Sequence, residues 1–226
     1  MTEITFPTIG GEASGYLAEP ESGAGSGVIV LQEWWGLDDH VRSVCDRLGA
    51  AGFFALAPDL YHGETTTQPD EAEQRMMALS MEQAEKEMSG AVEHLAGLDG
   101  VSGERVGAVG FCLGGGLAVW AAATNARIGA AVVYYYVMPH GKPDFSKVKA
   151  PVLGHFGTAD EFVSLDDAQA LEAQLGKAGV DTDFEYYVGS GHAFFNDTNR
   201  LGTYDAAAAE KSWERTIGFL RERLDN

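Results

Sequence analysis

Apolar and polar positions along this chain fall into blocks whose period switches between two and 3.6 residues. Residues 3 to 19 alternate and break at Gly10-Gly11, the pattern of an opening β-hairpin or edge strands. Val28-Ile29-Val30-Leu31 is apolar without interruption, as expected of a strand buried on both faces. A helical stretch follows from Asp38 to Ala50, and Gly52 to Pro58 reads as the next buried strand. After a polar loop from Tyr61 to Gln68, Pro69-Asp70-Glu71 opens a helix, with proline in the first turn and acids at its positive end. That helix, with room for an interruption, runs towards Leu98. Arg105 to Phe111 is a strand, and Leu113 to Ala123 is a helix apolar nearly all round, hence buried. Ile128 to Tyr135, Pro151 to Phe156 and Asp183 to Val188 are further strands. Asp166 to Ala178 and Asp205 to Leu224 are the remaining helices.

Strands alternating with helices predict an α/β fold: a mostly parallel, twisted sheet with helices on both faces. The chain of 226 residues suits a single domain spanning 1–226. Tyr61 to Gly90 is the one place for a small cap, and a large cap domain has no room. Repeats, heptad arrays and low-complexity tracts are absent from the sequence.

Charge narrows the partners. With 15 Lys+Arg against 34 Asp+Glu, the formal net charge is -19. Nucleic acid and anionic membrane are therefore poor partners. The first residues lack the basic and apolar regions of a signal peptide, and no apolar run reaches the length of a membrane span. The two cysteines, Cys45 and Cys112, lie in such different settings that no disulfide framework is expected. A reducing, cytoplasmic location follows as the default. Cys45 falls on the apolar face of the first helix and reads as core.

Cys112 is different. It lies in Gly110-Phe111-Cys112-Leu113-Gly114, between a strand and a Gly-rich helix start. This is the G-x-S-x-G nucleophile elbow with cysteine in place of serine. The flanking glycines leave room for a strained turn, and the helix N-terminus favours thiolate. A base is supplied by His192 in Gly189-Ser190-Gly191-His192-Ala193-Phe194, a loop after a strand and at the expected end of the chain order. His155, inside a strand-like run, reads as core. The orienting acid is expected in Gly157-Thr158-Ala159-Asp160. Asp160 is the candidate and Glu161 its rival, while Asp166 and Asp167 look like helix-start acids. One oxyanion N–H is expected from Leu113, and the second from the loop Gln32-Glu33-Trp34-Trp35-Gly36. Glu33 there reads either as a solvated loop acid or as a carboxylate that holds the thiol's proton.

Together these residues resemble the dienelactone hydrolase (carboxymethylenebutenolidase) family of the α/β-hydrolases. The matching motifs are Gln32-Glu33-Trp34-Trp35-Gly36, Ala57-Pro58-Asp59-Leu60-Tyr61, Gly110-Phe111-Cys112-Leu113-Gly114-Gly115, Tyr134-Tyr135, Gly157-Thr158-Ala159-Asp160 and Gly191-His192-Ala193-Phe194. The resemblance implies a Cys112-His192-Asp160 triad, a Glu33 that contacts the thiol, and oxyanion N–H groups from Trp34 and Leu113. It implies opening of a lactone or carboxylic ester through a thioester intermediate. Arg75 corresponds to one of two arginines that hold a substrate carboxylate in the family, and Tyr134 belongs to an aromatic set able to line the pocket. The second arginine falls where this sequence has Asn196, which weakens the case for carboxylated lactones.

The expected partner is a small ester or lactone, and the chain is expected as a monomer or small homo-oligomer. Alternatives of another kind are a general carboxylesterase or thioesterase of the same family, or a non-hydrolytic ligand-binding member. A nucleotide site drawn from Gly114-Gly115-Gly116 fails on spacing and on the missing P-loop lysine. The sequence contains no H-E-x-x-H and no Cys/His ligand spacing, so neither metal nor cofactor is expected.

Overall fold

Two strands, β1 (Thr2–Thr8) and β2 (Gly11–Ala18), form the opening hairpin of the computed structural model, which describes residues 2–224. Strand β2 also pairs antiparallel with β4 (Phe54–Pro58). From there β3 (Gly25–Leu31), β5 (Val101–Phe111), β6 (Ile128–Tyr134), β7 (Val152–Gly157) and β8 (Thr182–Tyr187) run parallel. The order across the sheet is β1-β2-β4-β3-β5-β6-β7-β8. Only β2 runs against the others, which makes its pairs with β1 and β4 the antiparallel ones.

The uninterrupted apolar run in β3 has a direct structural cause. Val28 and Val30 point into a core shared with α1 (Asp39–Ala50) and α6 (Ala206–Leu224). Ile29 and Leu31 point into the opposite core, with α3 (Met81–Ala96), α4 (Leu113–Thr124) and α5 (Leu165–Lys177). A strand covered on both faces has no polar face to alternate with. Cys45 and His155 are core residues. Burial pushes the Cys45 thiol's pKa up and pulls His155 down to about 3.

The interruption between Pro69 and Leu98 is real. Helix α2 (Pro69–Ala78) stops at Leu79, and Ser80 caps α3 by accepting from the Gln83 N–H. Strand β5 starts earlier than the apolar pattern suggests. Its first residues, Val101 to Glu104, are largely exposed, and the register shifts between Ser26 and Gly27. A polar extension beyond a bulge carries no period-two signal. No described helix is long and apolar enough to cross a membrane.

Candidate active site

The elbow is built from close approach. Cys112 links β5 to α4 at φ +54 and ψ −116, a conformation that costs a non-glycine residue energy and needs surrounding structure to impose it. A Cβ on Gly110 would lie 1.8 Å from the Gly114 carbonyl oxygen, and one on Gly114 would lie 2.1 Å from that of Leu31. These glycines let helix and strand touch through backbone. Four hydrogen bonds pin the turn. The Cys112 N–H donates to Tyr134 O (3.0 Å), and the Cys112 carbonyl accepts from Gly115 N (2.9 Å), Gly116 N (3.4 Å) and Val137 N (3.0 Å).

His192 and Asp160 arrive from the loops after β8 and β7. The two loops are tied together, since Ala159 N donates to Ser190 O at 3.0 Å. His192 Nδ1 meets Asp160 Oδ2 at 2.8 Å, with both side chains buried. The other Asp160 oxygen accepts from Phe162 N (2.7 Å) and Val163 N (2.9 Å). One carboxylate therefore fixes both the histidine and the start of the following turn. Glu161, the rival acid, is exposed. Asp166 and Asp167 lie in the first turn of α5, as helix-start acids.

Burial alone would depress His192. A negative charge on Cys112 and the bond to Asp160 outweigh it, and its pKa is pushed up to about 10. With Nδ1 held by Asp160, the Cys112 sulfur acts on the ring both through charge and through a hydrogen bond. Cys112 itself is 6% exposed.

Glu33 is not a solvated loop acid: it is 2% exposed. Its Oε1 accepts from the Tyr135 hydroxyl (3.2 Å) and its Oε2 from Asn196 Nδ2 (2.5 Å). Asn196 is itself oriented, because its Oδ1 accepts from the N–H and hydroxyl of Thr198 (3.0 and 2.6 Å). Burial, followed by the charges of Glu33 and Cys112, raises the Tyr135 pKa well above its ordinary value. Tyr135 and Asn196 thus belong to the site. Sequence reading had Tyr134 in the pocket, but Tyr134 faces the core, where its hydroxyl pairs with Thr216 Oγ1 at 2.8 Å. A sharp turn explains the exchange, since Tyr135 sits at φ +39 just past the strand end.

Trp34 and Leu113 lie at the carboxyl ends of neighbouring strands β3 and β5. Leu113 opens α4, where amides have no carbonyl one turn earlier to bond. The Trp34 loop is held by Gly36 N donating to Glu33 O at 3.4 Å and by Thr66 N donating to Trp35 O at 3.1 Å. Arg75 is at the end of α2 and pairs with Glu64. It lines a cavity of about 240 Å³ with Tyr61. Tyr61 is raised in pKa by burial and then by the charge on Cys112, which brings that cavity within electrical reach of Cys112. Among the described residues, no group of three His, Cys, Asp or Glu side chains could hold a metal ion.

A parallel sheet with an elbow after β5, and with acid and histidine on the loops after β7 and β8, defines an α/β-hydrolase. The dienelactone hydrolase family profile matches residues 13–224, so the chain belongs to that family, and with it to the hydrolases of carboxylic esters and lactones. It is 34% identical over 228 residues to "Protein usf" of Aquifex pyrophilus, covering 98% of each chain. It is 31% identical to the "Putative carboxymethylenebutenolidase" of Aquifex aeolicus (strain VF5), again over 98% of each. A solved dienelactone hydrolase-type structure from Klebsiella pneumoniae superposes with a TM-score of 0.87 at 26% identity, covering 98% of each chain.

Proposed function

We propose that the protein opens a carboxylic ester or lactone through a thioester on Cys112, with His192 as its proton carrier and Asp160 as the group that orients it. The observation that carries this reading is the arrangement of the three. A strained cysteine at a helix N-terminus lies within charge and hydrogen-bond reach of a histidine whose Nδ1 is 2.8 Å from a buried carboxylate.

The raised His192 pKa sets the order of events. While the sulfur is negative, the proton rests on the ring. Attack of the thiolate on the carbonyl carbon pushes the C=O electron pair onto oxygen, where the N–H groups of Trp34 and Leu113 receive it. Collapse expels the alkoxide, which takes the His192 Nε2 proton, and a thioester remains. The sulfur has now lost its charge, so the first upward cause on His192 is gone and the ring becomes a base. It takes a proton from water, hydroxide adds to the thioester, and collapse returns the sulfur's electron pair and frees the acid.

Glu33 stands beside this cycle, held by two neutral donors. The substrate reading follows from the same neighbourhood. Asn196 donates to Glu33 and Arg75 is paired with Glu64, so neither stands ready as a carboxylate clamp. Esters and lactones lacking a carboxylate are the better substrates.

The test is an ester and lactone panel, with and without a carboxylate, on wild type and Cys112→Ala. Turnover is expected to fall by about a thousandfold or more in the variant, and quenched wild-type reactions should carry an acyl adduct on Cys112 by mass spectrometry. Turnover that survives Cys112→Ala overturns the proposal.

A further inference from the structure

Phe162 is out of place for a core aromatic and too well connected for a stray one. It is 58% exposed, yet its ring lies 4.7 Å from that of His192 and 6.1 Å from that of Trp34. On its far side opens a cavity of about 560 Å³ lined by Tyr136, Val137, Met138, Phe145, Phe162 and Leu171, among others. The size is that of a small-molecule site. Two exposed lining residues are tied to each other, Lys142 Nζ donating to Gln174 Oε1 at 2.6 Å.

The cavity is coupled to the reacting groups by three hydrogen bonds, from two of its walls. Val137, on one wall, donates its N–H to the Cys112 carbonyl at 3.0 Å. Phe162 and Val163, on the other, donate theirs to the Asp160 oxygen that does not face His192. Backbone hydrogen bonds thus tie the cavity walls to Cys112 and Asp160. An apolar arm on a carbonyl held at Cys112 has this cavity at hand past Phe162.

We propose that the cavity beyond Phe162 receives the apolar arm of the ester or lactone, and that Phe162 is the residue that governs entry to it. The substrate class is therefore one with an extended alkyl or aryl arm. This rests on the hydrolase reading above and deepens it.

Burying a methylene is worth about 0.8 kcal/mol, or roughly fourfold in kcat/KM. Across p-nitrophenyl esters from acetate to decanoate, kcat/KM of the wild type should rise by tenfold or more and then level as the cavity fills. Leu171→Trp fills the inner end, so its optimum should move to shorter chains. Phe162→Ala changes an exposed side chain and leaves the fold intact. Its octanoate-to-acetate ratio should fall by about tenfold. Calorimetric binding of octanamide gives a readout without turnover, and Leu171→Trp should weaken it by about tenfold or more.

A wild type that hydrolyses acetate with a flat chain-length profile overturns the cavity assignment and leaves the hydrolase reading standing. An optimum unmoved by Leu171→Trp does the same. An inert ester panel combined with octanamide binding that Leu171→Trp abolishes overturns the hydrolase reading and supports the cavity as a ligand site.

Discussion

At the scale of single residues, the proton on His192 is the most informative property of the site. Burial drives it off, while the charge of Cys112, the hydrogen bonds to Asp160 and Cys112 and the charge of Asp160 hold it. The upward causes win, so the ring should titrate near pH 10 rather than in its ordinary range. Cys112→Ala removes the sulfur's charge and leaves burial opposed by Asp160 alone, so the midpoint should drop. NMR of the imidazole nitrogens against pH checks this in both proteins. A His192 midpoint that is the same in wild type and Cys112→Ala would show that the sulfur does not hold that proton. The family resemblance places Glu33 beside the thiol, while its own residue context leaves it open between a solvated acid and a thiol partner. Its neighbours in the chain are Gln32 and Trp34, and its actual partners are 102 and 163 residues away. A loop position followed by tryptophans gives no sign of a buried carboxylate held by Tyr135 and Asn196.

At the scale of elements, backbone contact at the elbow is the organising fact. Glycine spacing in the sequence made β5, the turn and α4 legible because no other side chain fits there. Gly110→Ala would put a methyl 1.8 Å from a carbonyl oxygen, and helix α4 would have to move away from the strand. A loss of about 3 kcal/mol or more is expected, with activity falling further because Cys112 moves with the helix. Gly218→Ala, on α6, is the opposite case. Nothing lies within 4 Å of the added atom, so helix propensity alone acts and a gain of about 1 kcal/mol is expected. Urea unfolding of the two variants reads both signs. Periodicity found the strands and the α-helices with ends shifted by a few residues, most at β5, where a bulged polar extension carries no pattern, and it missed the 3-10 turn Phe145–Lys147. It could not separate Tyr134 from Tyr135. Adjacent residues point to opposite faces of a strand, and which one meets the site depends on the turn at φ +39 that ends it.

At the scale of the whole molecule, the formal charge of -19 acts on substrate choice as well as on solubility. Composition already argues against nucleic acid and anionic membrane as partners. The site adds detail, since Glu33, Asp160 and Glu64 all lie around it and Arg75 is paired. At about 0.01 M salt the Debye length is roughly 30 Å, so an approaching anion feels most of the protein's charge. At about 0.15 M it is roughly 8 Å, and only groups lining the site still act. An ester carrying a terminal carboxylate should therefore gain in kcat/KM as salt rises over this range, and its neutral methyl-terminated counterpart should change little. The ratio of the two is expected to rise several-fold. Measuring both esters on the same enzyme cancels any general effect of salt on the fold. A ratio that falls with salt would mean that a local cation such as Arg75, which lines a cavity with Tyr61, attracts the carboxylate more strongly than the rest of the molecule repels it. In that case the Arg75–Glu64 pair opens to bind anions, and carboxylated lactones return as substrates.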